Sequence, residues 1–252
     1  MPNYRQPFYP VKTVSVCRII DSPFTPLNNG FGLPNGDNPF TPLNNGLNIV
    51  GYKDKSDIRI KMYIVAGLGN PGDKYLKNLH NLGFMAVELL AEKHGVSFDK
   101  KGFKGLFGVK NIGGEKVIFL KPQTFMNLSG ECIREISAYF KVPSENILVI
   151  YDDIDIDIGA LRIRKNGSSG THNGMRNIVK ELGTEDFPRV RIGTKPEGSY
   201  DILSYVLSDV KKEDEPKFKF SVNEAVAAAD DFIHGKKIED VMCAHNAAKY
   251  VE

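Results

Sequence analysis

Histidine, aspartate and asparagine side chains recur in this sequence just beyond segments that are rich in apolar or glycine residues. The five that stand out follow predicted strands or a glycine-serine loop: Asn70, His80, Asn127, Asp152 and Asn173. Side chains beyond the C-terminal ends of the strands of an open α/β sheet surround one crevice, and ligands bind in that crevice. We therefore expect these five residues to converge on a single site.

This combination of residue types favours hydrolysis without a metal ion or a cofactor. A neutral imidazole can take a proton from water near pH 7. A carboxylate on the other ring nitrogen fixes the tautomer and stabilises the imidazolium that forms. Asparagine amides can donate hydrogen bonds to a developing oxyanion and accept them from a substrate N–H group. Because the sequence has no G-x-S-x-G motif, water is the expected nucleophile.

Less specific interpretations exist for each of these residues. A histidine at a helix start is often only a cap, and asparagines near glycines are common in turns. His172 is a second candidate base, although its place in a loop also suits a structural hydrogen bond. The acidic run 152–157 could bind a metal, but Ile154, Ile156 and Ile158 alternate as in a strand. The glycine and terminal glutamate of an EF-hand loop are missing, which argues against a metal site.

Three glycines after the first apolar segment form the G-x-G-x-x-G pattern of dinucleotide-binding proteins: Gly67, Gly69 and Gly72. In such proteins the third glycine begins a helix, and a second strand ends in an acidic residue about 20 residues later. Here the helical pattern begins only at His80, and the acidic residues at the right spacing lie within it. No Gly-Lys-Ser/Thr sequence follows, which excludes a P-loop. A nucleotide-dependent oxidoreductase is therefore a weak alternative.

The composition is that of a soluble globular protein, with 41% hydrophobic and 25% charged residues. No apolar run approaches the roughly 18–20 residues that span a bilayer, and no signal-peptide pattern is present, so we expect a cytoplasmic protein. The cysteines are dispersed, which argues against disulfides and a zinc site. The net charge of +2 divides into +3 for residues 1–61 and −1 for the remainder. Nucleic acid would therefore have to bind a local basic patch.

Residues 1–61 differ in composition from the rest of the chain. They are rich in Pro, Asn and Gly, and the octapeptide PFTPLNNG occurs twice, at 23–30 and 39–46. Two copies are too few for a repeat fold, which needs about three. We expect a leader that is disordered or loosely attached. Met62 is then the natural start of the protein, and the leader is an addition or the product of a mis-set start codon.

From Met62 onward, segments with strand and helix character alternate. Strands are predicted at 63–66, 106–110, 116–120, 147–151, 160–164 and 190–193, and helices at 80–94, 131–140, 174–182, 215–233 and 238–248. The second and third strands flank an Asn-Ile-Gly-Gly sequence, which indicates a hairpin. The alternation predicts one three-layer α/β/α domain over residues 62–252, with a twisted, mostly parallel mixed sheet.

Five segments, in their order and spacing, resemble bacterial peptidyl-tRNA hydrolases: GLGNPGDKY, LHNLG, KPQTFMNLSG, DDIDIDIGALRIRKNGSSGTHNGM and RVRIGTKP. The resemblance extends from Met62 to about Asn246. It implies a monomeric, metal-independent esterase that cleaves the bond between a peptide and the 3′ ribose of tRNA, and so recycles tRNA from stalled translation. The alternative is a non-catalytic RNA-binding relative with the same fold. The intact His80, Asp152 and asparagine set argues against that alternative.

The resemblance also implies roles for individual residues. His80 corresponds to the catalytic base, Asp152 to the carboxylate that holds it, and Asn70 to the residue that discriminates blocked from free aminoacyl ends. The residues that correspond to the substrate-binding groove are Tyr75, Phe125, Met126, Asn127 and Asn173. Those that correspond to the clamp on the tRNA 5′-phosphate are Arg164 and Arg191. The sequence departs from the family pattern at three positions on groove rims and loops: Lys74, Leu79 and Thr171.

Residues 158–195 hold eight Lys or Arg residues against three acidic ones, and they form the predicted tRNA-binding patch. We expect a second group of lysines to extend it: Lys100, Lys101, Lys104 and Lys110. Contacts to phosphate position tRNA without reading its sequence, which suits an enzyme that must accept most tRNAs. We expect recognition of shape and of the acceptor end, rather than of bases in a duplex.

Overall fold

The structure, a computed structural model, describes residues 61–196, 198 and 201–251. The predicted leader, apart from Lys61, lies outside the described residues, as do both copies of its octapeptide. Its disorder or loose attachment therefore stays a prediction.

Among the described residues, seven strands form one mixed sheet in the order β2-β3-β4-β1-β5-β7-β6. Their bounds are β1 Met62–Gly67, β2 Lys100–Gly102, β3 Gly105–Ile112, β4 Glu115–Pro122, β5 Ile147–Asp153, β6 Leu161–Arg164 and β7 Arg189–Gly193. The central strands β4, β1, β5 and β7 run parallel. The outer strands β2, β3 and β6 pair antiparallel with their neighbours. The C-terminal ends of the four central strands therefore meet at the same end of the sheet, where Asn70 follows β1 and Asp152 is the penultimate residue of β5.

In the described part of the chain, six α-helices pack around the sheet. They are α1 Leu82–Lys93, α2 Ser129–Phe140, α3 Asn173–Leu182, α4 Ile202–Val206, α5 Glu215–Ile233 and α6 Ile238–His245. Val65 packs in the core with α1, α5 and α6, whereas its neighbours Ile64 and Ala66 pack in a second core with α2 and α3. Successive strand side chains point to opposite faces, so a strand buried on both faces is apolar throughout. The three-layer α/β/α architecture is as predicted.

Two glycines allow α1 to lie directly against the sheet. A Cβ atom on Gly67 would stand 2.1 Å from the Gly83 carbonyl oxygen, and one on Gly83 would stand 2.3 Å from the Ile150 carbonyl oxygen. Both distances are far below any van der Waals contact, so larger residues at either position would push the helix away. The close approach brings the start of α1 to the C-terminal end of β5.

The structure differs from the sequence-based elements mainly where elements are short. Residues Leu79–Asn81, including His80, form a 3₁₀ turn, and α1 begins only at Leu82. The strand β2 has three residues and the helix α4 has five. Neither was predicted, because segments of that length complete too few periods to be recognised.

The outer edge of β6 is covered by the chain that follows α6. The Asn246 side chain accepts a hydrogen bond from the Ile163 N–H at 2.6 Å and donates one to the Ile163 carbonyl at 3.2 Å. Arg162 donates to the Asn246 carbonyl at 2.6 Å. Further along, Ala160 and Lys249 form an antiparallel bridge. The C-terminal segment is thereby fixed against the edge of the sheet.

Two further properties of the described residues bear on the sequence-based expectations. Cys132 and Cys243 are both free thiols, and Cys17 lies outside the described residues. Burial raises the pKa of Cys132 to about 12, so this thiol stays protonated at neutral pH.

None of the helices in the described part of the chain is both long and apolar enough to cross a membrane.

Candidate active site

His80 and Asp152 form a direct pair at the centre of the predicted site. The His80 Nδ1 atom lies 2.8 Å from Asp152 Oδ1 and 2.9 Å from Oδ2. A carboxylate can only accept hydrogen bonds, so Nδ1 carries the proton and Nε2 keeps its lone pair. His80 lines the cavity described below, and its Nε2 makes no hydrogen bond to the described residues. Nε2 is therefore available to accept a proton from a substrate or from water.

A second imidazole, that of His172, contacts the same carboxylate. Its Nε2 lies 3.3 Å from Asp152 Oδ1. Its Nδ1 accepts a hydrogen bond of 3.2 Å from the Met175 backbone N–H, and His172 thereby caps the N-terminus of α3. Both ring nitrogens of His172 are thus engaged. His172 has no free lone pair with which to act as the base, which leaves His80 as the candidate.

Asp152 is ionised because both imidazoles face it. It is only 1% exposed. Burial alone would raise its pKa, but the electrostatic attraction and hydrogen bonds of the two imidazoles outweigh burial and hold the pKa of Asp152 below its ordinary range. The carboxylate therefore remains an acceptor for His80 across the whole range of physiological pH.

Asn70 is fixed by a reciprocal contact that the sequence did not reveal. The Asn70 N–H donates to Asn81 Oδ1 at 2.8 Å, and Asn81 Nδ2 donates to the Asn70 carbonyl at 3.0 Å. The Asn70 side chain in turn accepts a hydrogen bond from the Met126 N–H at 2.9 Å through Oδ1. Asn81 is buried next to His80, between two buried leucines. In the sequence, the one indication of this structural role was that Asn81 is a polar residue next to Leu82, at the start of a helix with an apolar face.

The other groove residues differ in how close they lie to the pair. Asn173 begins α3 and lines the cavity with His80 and Asp152. Tyr75, Phe125 and Asn127 lie outside the cavity walls, as does Met126, which is buried and bonded to Asn70. Phe125 is 54% exposed. Its backbone φ is +25°, a conformation that residues with a side chain disfavour. This strained aromatic residue stands beside the Asn70–Met126 contact and offers an apolar surface to solvent.

A cavity of about 590 Å³ connects the catalytic pair to the predicted arginine clamp. Its walls include the loop 166–171 and the short helix α4, and both Arg164 and Arg191 line it. Arg164 is exposed. Arg191 donates a hydrogen bond of 2.7 Å from Nε to Asp153 Oδ2, which holds its guanidinium in place. The structure thus places the predicted base and the predicted phosphate-binding groups along one surface.

The predicted basic patch is smaller than its charge count suggests. Arg189 is only 1% exposed and donates to the Ser168 and Glu185 carbonyls. Burial lowers its pKa. Arg162 similarly donates to backbone carbonyls. These two arginines stabilise the fold rather than offer charge to a ligand.

The second lysine group lies away from Arg164, and its continuity with the rest of the patch stays a prediction. Lys100 and Lys101 lie on β2, at the opposite edge of the sheet from β6. Six strand spacings separate those edges, or about 29 Å at roughly 4.8 Å each. Lys104, in the turn between β2 and β3, is paired with Glu131 at 2.7 Å and Glu135 at 2.9 Å. A charge count along the sequence cannot show which strands lie at opposite edges.

The three side chains at the centre of the site also satisfy a simple test for a metal centre. His80, Asp152 and His172 each offer a ligand atom, and these atoms lie within 4.8 Å of one another. Zinc accepts such ligands. In this structure hydrogen bonds already join the same atoms, and a metal ion on His80 Nδ1 would have to displace its proton. The set therefore suits proton transfer better than coordination, and metal independence stays a prediction.

Comparison with known proteins gives one consistent family. A family model described as peptidyl-tRNA hydrolase matches residues 64–252. The peptidyl-tRNA hydrolase of Alkaliphilus metalliredigens is 49% identical over 172 residues, which are 68% of this chain and 93% of that protein. That of Clostridium acetobutylicum is 50% identical over 169 residues, covering 67% and 90% respectively. The crystal structure of peptidyl-tRNA hydrolase from Acinetobacter baumannii matches with a TM-score of 0.70 and 33% identity, over 75% of this chain and 96% of that one.

Proposed function

This chain belongs to the peptidyl-tRNA hydrolase family, and on that premise we propose how its side chains hydrolyse peptidyl-tRNA. His80 Nε2 removes a proton from a water molecule, whose oxygen attacks the carbonyl carbon of the ester. The tetrahedral intermediate then expels the 3′ ribose oxygen, which takes the proton from the His80 imidazolium. One water is consumed, and the products are tRNA and a peptide with a free carboxyl group.

Asp152 supports both proton transfers. Its carboxylate holds the Nδ1 proton of His80 with two short contacts, so that Nε2 points toward the cavity as the basic nitrogen. When His80 becomes positively charged, the buried negative charge stabilises it. This bidentate pair with a free Nε2 is the observation that carries the proposed mechanism.

Asn70 supports discrimination between a peptidyl group and a free aminoacyl group. Its Oδ1 accepts the Met126 N–H, and this contact orients the side-chain amide so that its N–H groups can donate to substrate. A peptide carbonyl can accept from these groups, whereas the ammonium of a free aminoacyl ester is itself only a donor. Tyr75, Phe125, Met126, Asn127 and Asn173 complete the groove in this proposal.

In this proposal the tRNA acceptor end lies in the part of the cavity that leads from His80 to the two arginines. Arg164 and Arg191 line that part and would bind the 5′-phosphate, with Asp153 orienting Arg191.

We expect a cytoplasmic monomer that takes part in translation quality control. The alternative of a non-catalytic RNA-binding protein leaves the His80–Asp152 pair without a role.

The decisive experiment measures release of peptide from an N-acetylaminoacyl-tRNA by the purified full chain in the presence of EDTA. We expect hydrolysis to persist in EDTA. The His80→Ala variant should lose about 10²- to 10⁴-fold in kcat while its affinity for tRNA changes little, because a general base acts in the transition state. His234→Ala is the matched control, since His234 is an exposed histidine that follows the C-terminal end of α5 and does not line the cavity, so kcat should be unchanged. Full activity of His80→Ala, or abolition by EDTA, would contradict the mechanism.

A further inference from the structure

We infer that His172 is a positioning residue, which fixes the orientation of the Asp152 carboxylate for His80. The inference rests on the proposed function of His80 as the base. His172 is placed between the two elements concerned, since it caps α3 with one ring nitrogen and contacts the end of β5 with the other.

The protonation of the His172 ring follows from its two partners. The Met175 backbone N–H can only donate, so Nδ1 of His172 must be unprotonated. The neutral ring then carries its proton on Nε2, and Nε2 donates to Asp152 Oδ1 at 3.3 Å. Asp152 Oδ1 thus accepts from His172 and from His80, whereas Oδ2 accepts from His80. The Met175 N–H, a backbone group of α3, thus fixes the His172 tautomer that donates a hydrogen bond to Asp152.

The ring cannot easily turn away from this position. It lies between the rings of His80 and Tyr151, at centroid distances of 5.0 and 4.8 Å. A Cβ atom on Gly174 would stand 3.1 Å from His172 Cε1 and 2.7 Å from Met126 Sδ, so the absence of a side chain at Gly174 leaves room for both. His172 therefore occupies a fitted space rather than a loose loop position.

The ionisable groups that line the cavity with these rings come from several elements, including Asp155 after β5, Arg164 on β6 and Asp201 before α4. On β5 they are Asp152, Asp153 and Tyr151, and on β7 they are Arg189 and Arg191. Burial raises the pKa of Tyr151 to about 12, so Tyr151 stays neutral. Asp153 is paired with Arg191. Among the described residues, the anion that both imidazoles contact directly is Asp152.

Two substitutions separate the two contacts of His172. Asparagine places an acceptor near the position of Nδ1 and is a good N-cap, but it is too short to reach Asp152. Glutamine can place an amide N–H near the position of Nε2, but it loses the cap. If His172 only caps α3, His172→Asn should resemble wild type and His172→Gln should be impaired. If His172 positions Asp152, the order of the activities is reversed.

We expect His172→Asn to lose about 10-fold or more in kcat, as when an orienting partner of a functional side chain is removed. Its KM and melting temperature should stay near wild type. The acid limb of its kcat/KM profile should move to higher pH, because a carboxylate that has lost one donor stabilises the His80 imidazolium more strongly. His172→Gln should keep most of kcat and the wild-type acid limb, with a lower melting temperature.

A measurement independent of activity accompanies these assays. In protein labelled with ¹⁵N-histidine, His172 should show the Nε2–H tautomer, and that signal should change when Asp152 is replaced by Asn. Wild-type kcat and pH profile in His172→Asn, or an Nδ1–H tautomer, would overturn the inference. If the wild-type chain does not release peptide from N-acetylaminoacyl-tRNA, the proposed function itself fails, and the tautomer result still tests the placement of His172.

Discussion

Asp152 is surrounded by donors rather than by opposite charges alone. It lies at the end of β5 and accepts hydrogen bonds from two imidazoles while almost fully buried. Its pKa is lowered despite burial, because ionisation satisfies both donors. The residue should therefore contribute to stability as well as to catalysis.

The pH dependence of stability tests this property through Asp152→Asn. A lowered folded-state pKa means that the contribution is present above the unfolded value of about 3.9 and is lost as pH falls through the folded value. Wild type should unfold at higher urea concentration than Asp152→Asn at pH 5, and the difference should shrink between pH 4 and pH 2. A difference that stays constant over this interval would contradict the assignment. In the peptidyl-tRNA assay, Asp152→Ala should slow turnover less than His80→Ala.

Sequence reasoning identified the candidate site residues but not the contacts that hold them. His80, Asp152 and Asn70 were recognisable because their residue types suit hydrolysis and their motifs resemble a known family. The contacts from Asn81 to Asn70 and from Met175 to His172 depend on backbone groups. Every residue carries such groups, so no side-chain pattern announces them. The His172 ambiguity was resolved only by seeing both ring nitrogens engaged.

At the scale of elements, the close packing of α1 determines where His80 lies. The 3₁₀ turn that contains His80 is continuous with α1, and α1 touches β1 and β5 at Gly67 and Gly83. The glycine pattern that resembled a dinucleotide fingerprint thus includes a residue that is required for helix packing.

The long, periodic helices and the buried strands were predicted to within about two residues at most boundaries, whereas β2 and α4 were too short to detect.

Gly83→Ala tests this packing. Its Cβ would stand 2.3 Å from the Ile150 carbonyl oxygen, so the start of α1 must shift. We expect a loss of about 1–3 kcal/mol in the free energy of urea unfolding, the usual range for overpacking. Turnover should fall as well, because His80 moves with the helix. Glu92→Ala, on the exposed face of the same helix, should change neither quantity. An unaltered urea midpoint in Gly83→Ala would mean that α1 is not held in this way.

At the scale of the whole molecule, the exposed arginine that is predicted to bind the tRNA phosphate lies at one lateral edge of the sheet. Arg164 is exposed on β6, whereas the lysines of β2 lie at the opposite edge. The sequence showed the number of these charges but not their separation, because the sheet order places β1 between segments that come later in the chain. The strand order therefore sets the distance between Arg164 and the lysines of β2.

Arg164→Ala should raise KM for peptidyl-tRNA and leave kcat almost unchanged, because a phosphate contact positions the substrate. The slope of log KM against log salt should decrease by about 1, as expected for the loss of one phosphate contact. Lys101→Ala removes a charge that is also exposed but lies at the opposite edge, and it should have little effect on either quantity. Equal effects of the two substitutions would show that tRNA covers both edges.

Removal of residues 1–61 tests the independence of the catalytic domain. The family model matches residues 64–252, and β1 begins at Met62. A chain that starts at Met62 should retain the melting temperature and kcat of the full chain. Failure of this shorter chain to fold would show that the domain requires its leader.

The amide of Asn246 has a consequence for how copies of this protein behave toward one another. An unpaired edge strand offers a row of N–H and C=O groups on which a second chain can build by β-sheet extension. Asn246 occupies the N–H and C=O of Ile163 with a side chain that imitates the backbone of a neighbouring strand but cannot continue it. One side chain of the C-terminal segment thus occupies hydrogen-bonding groups on which a second chain could otherwise build.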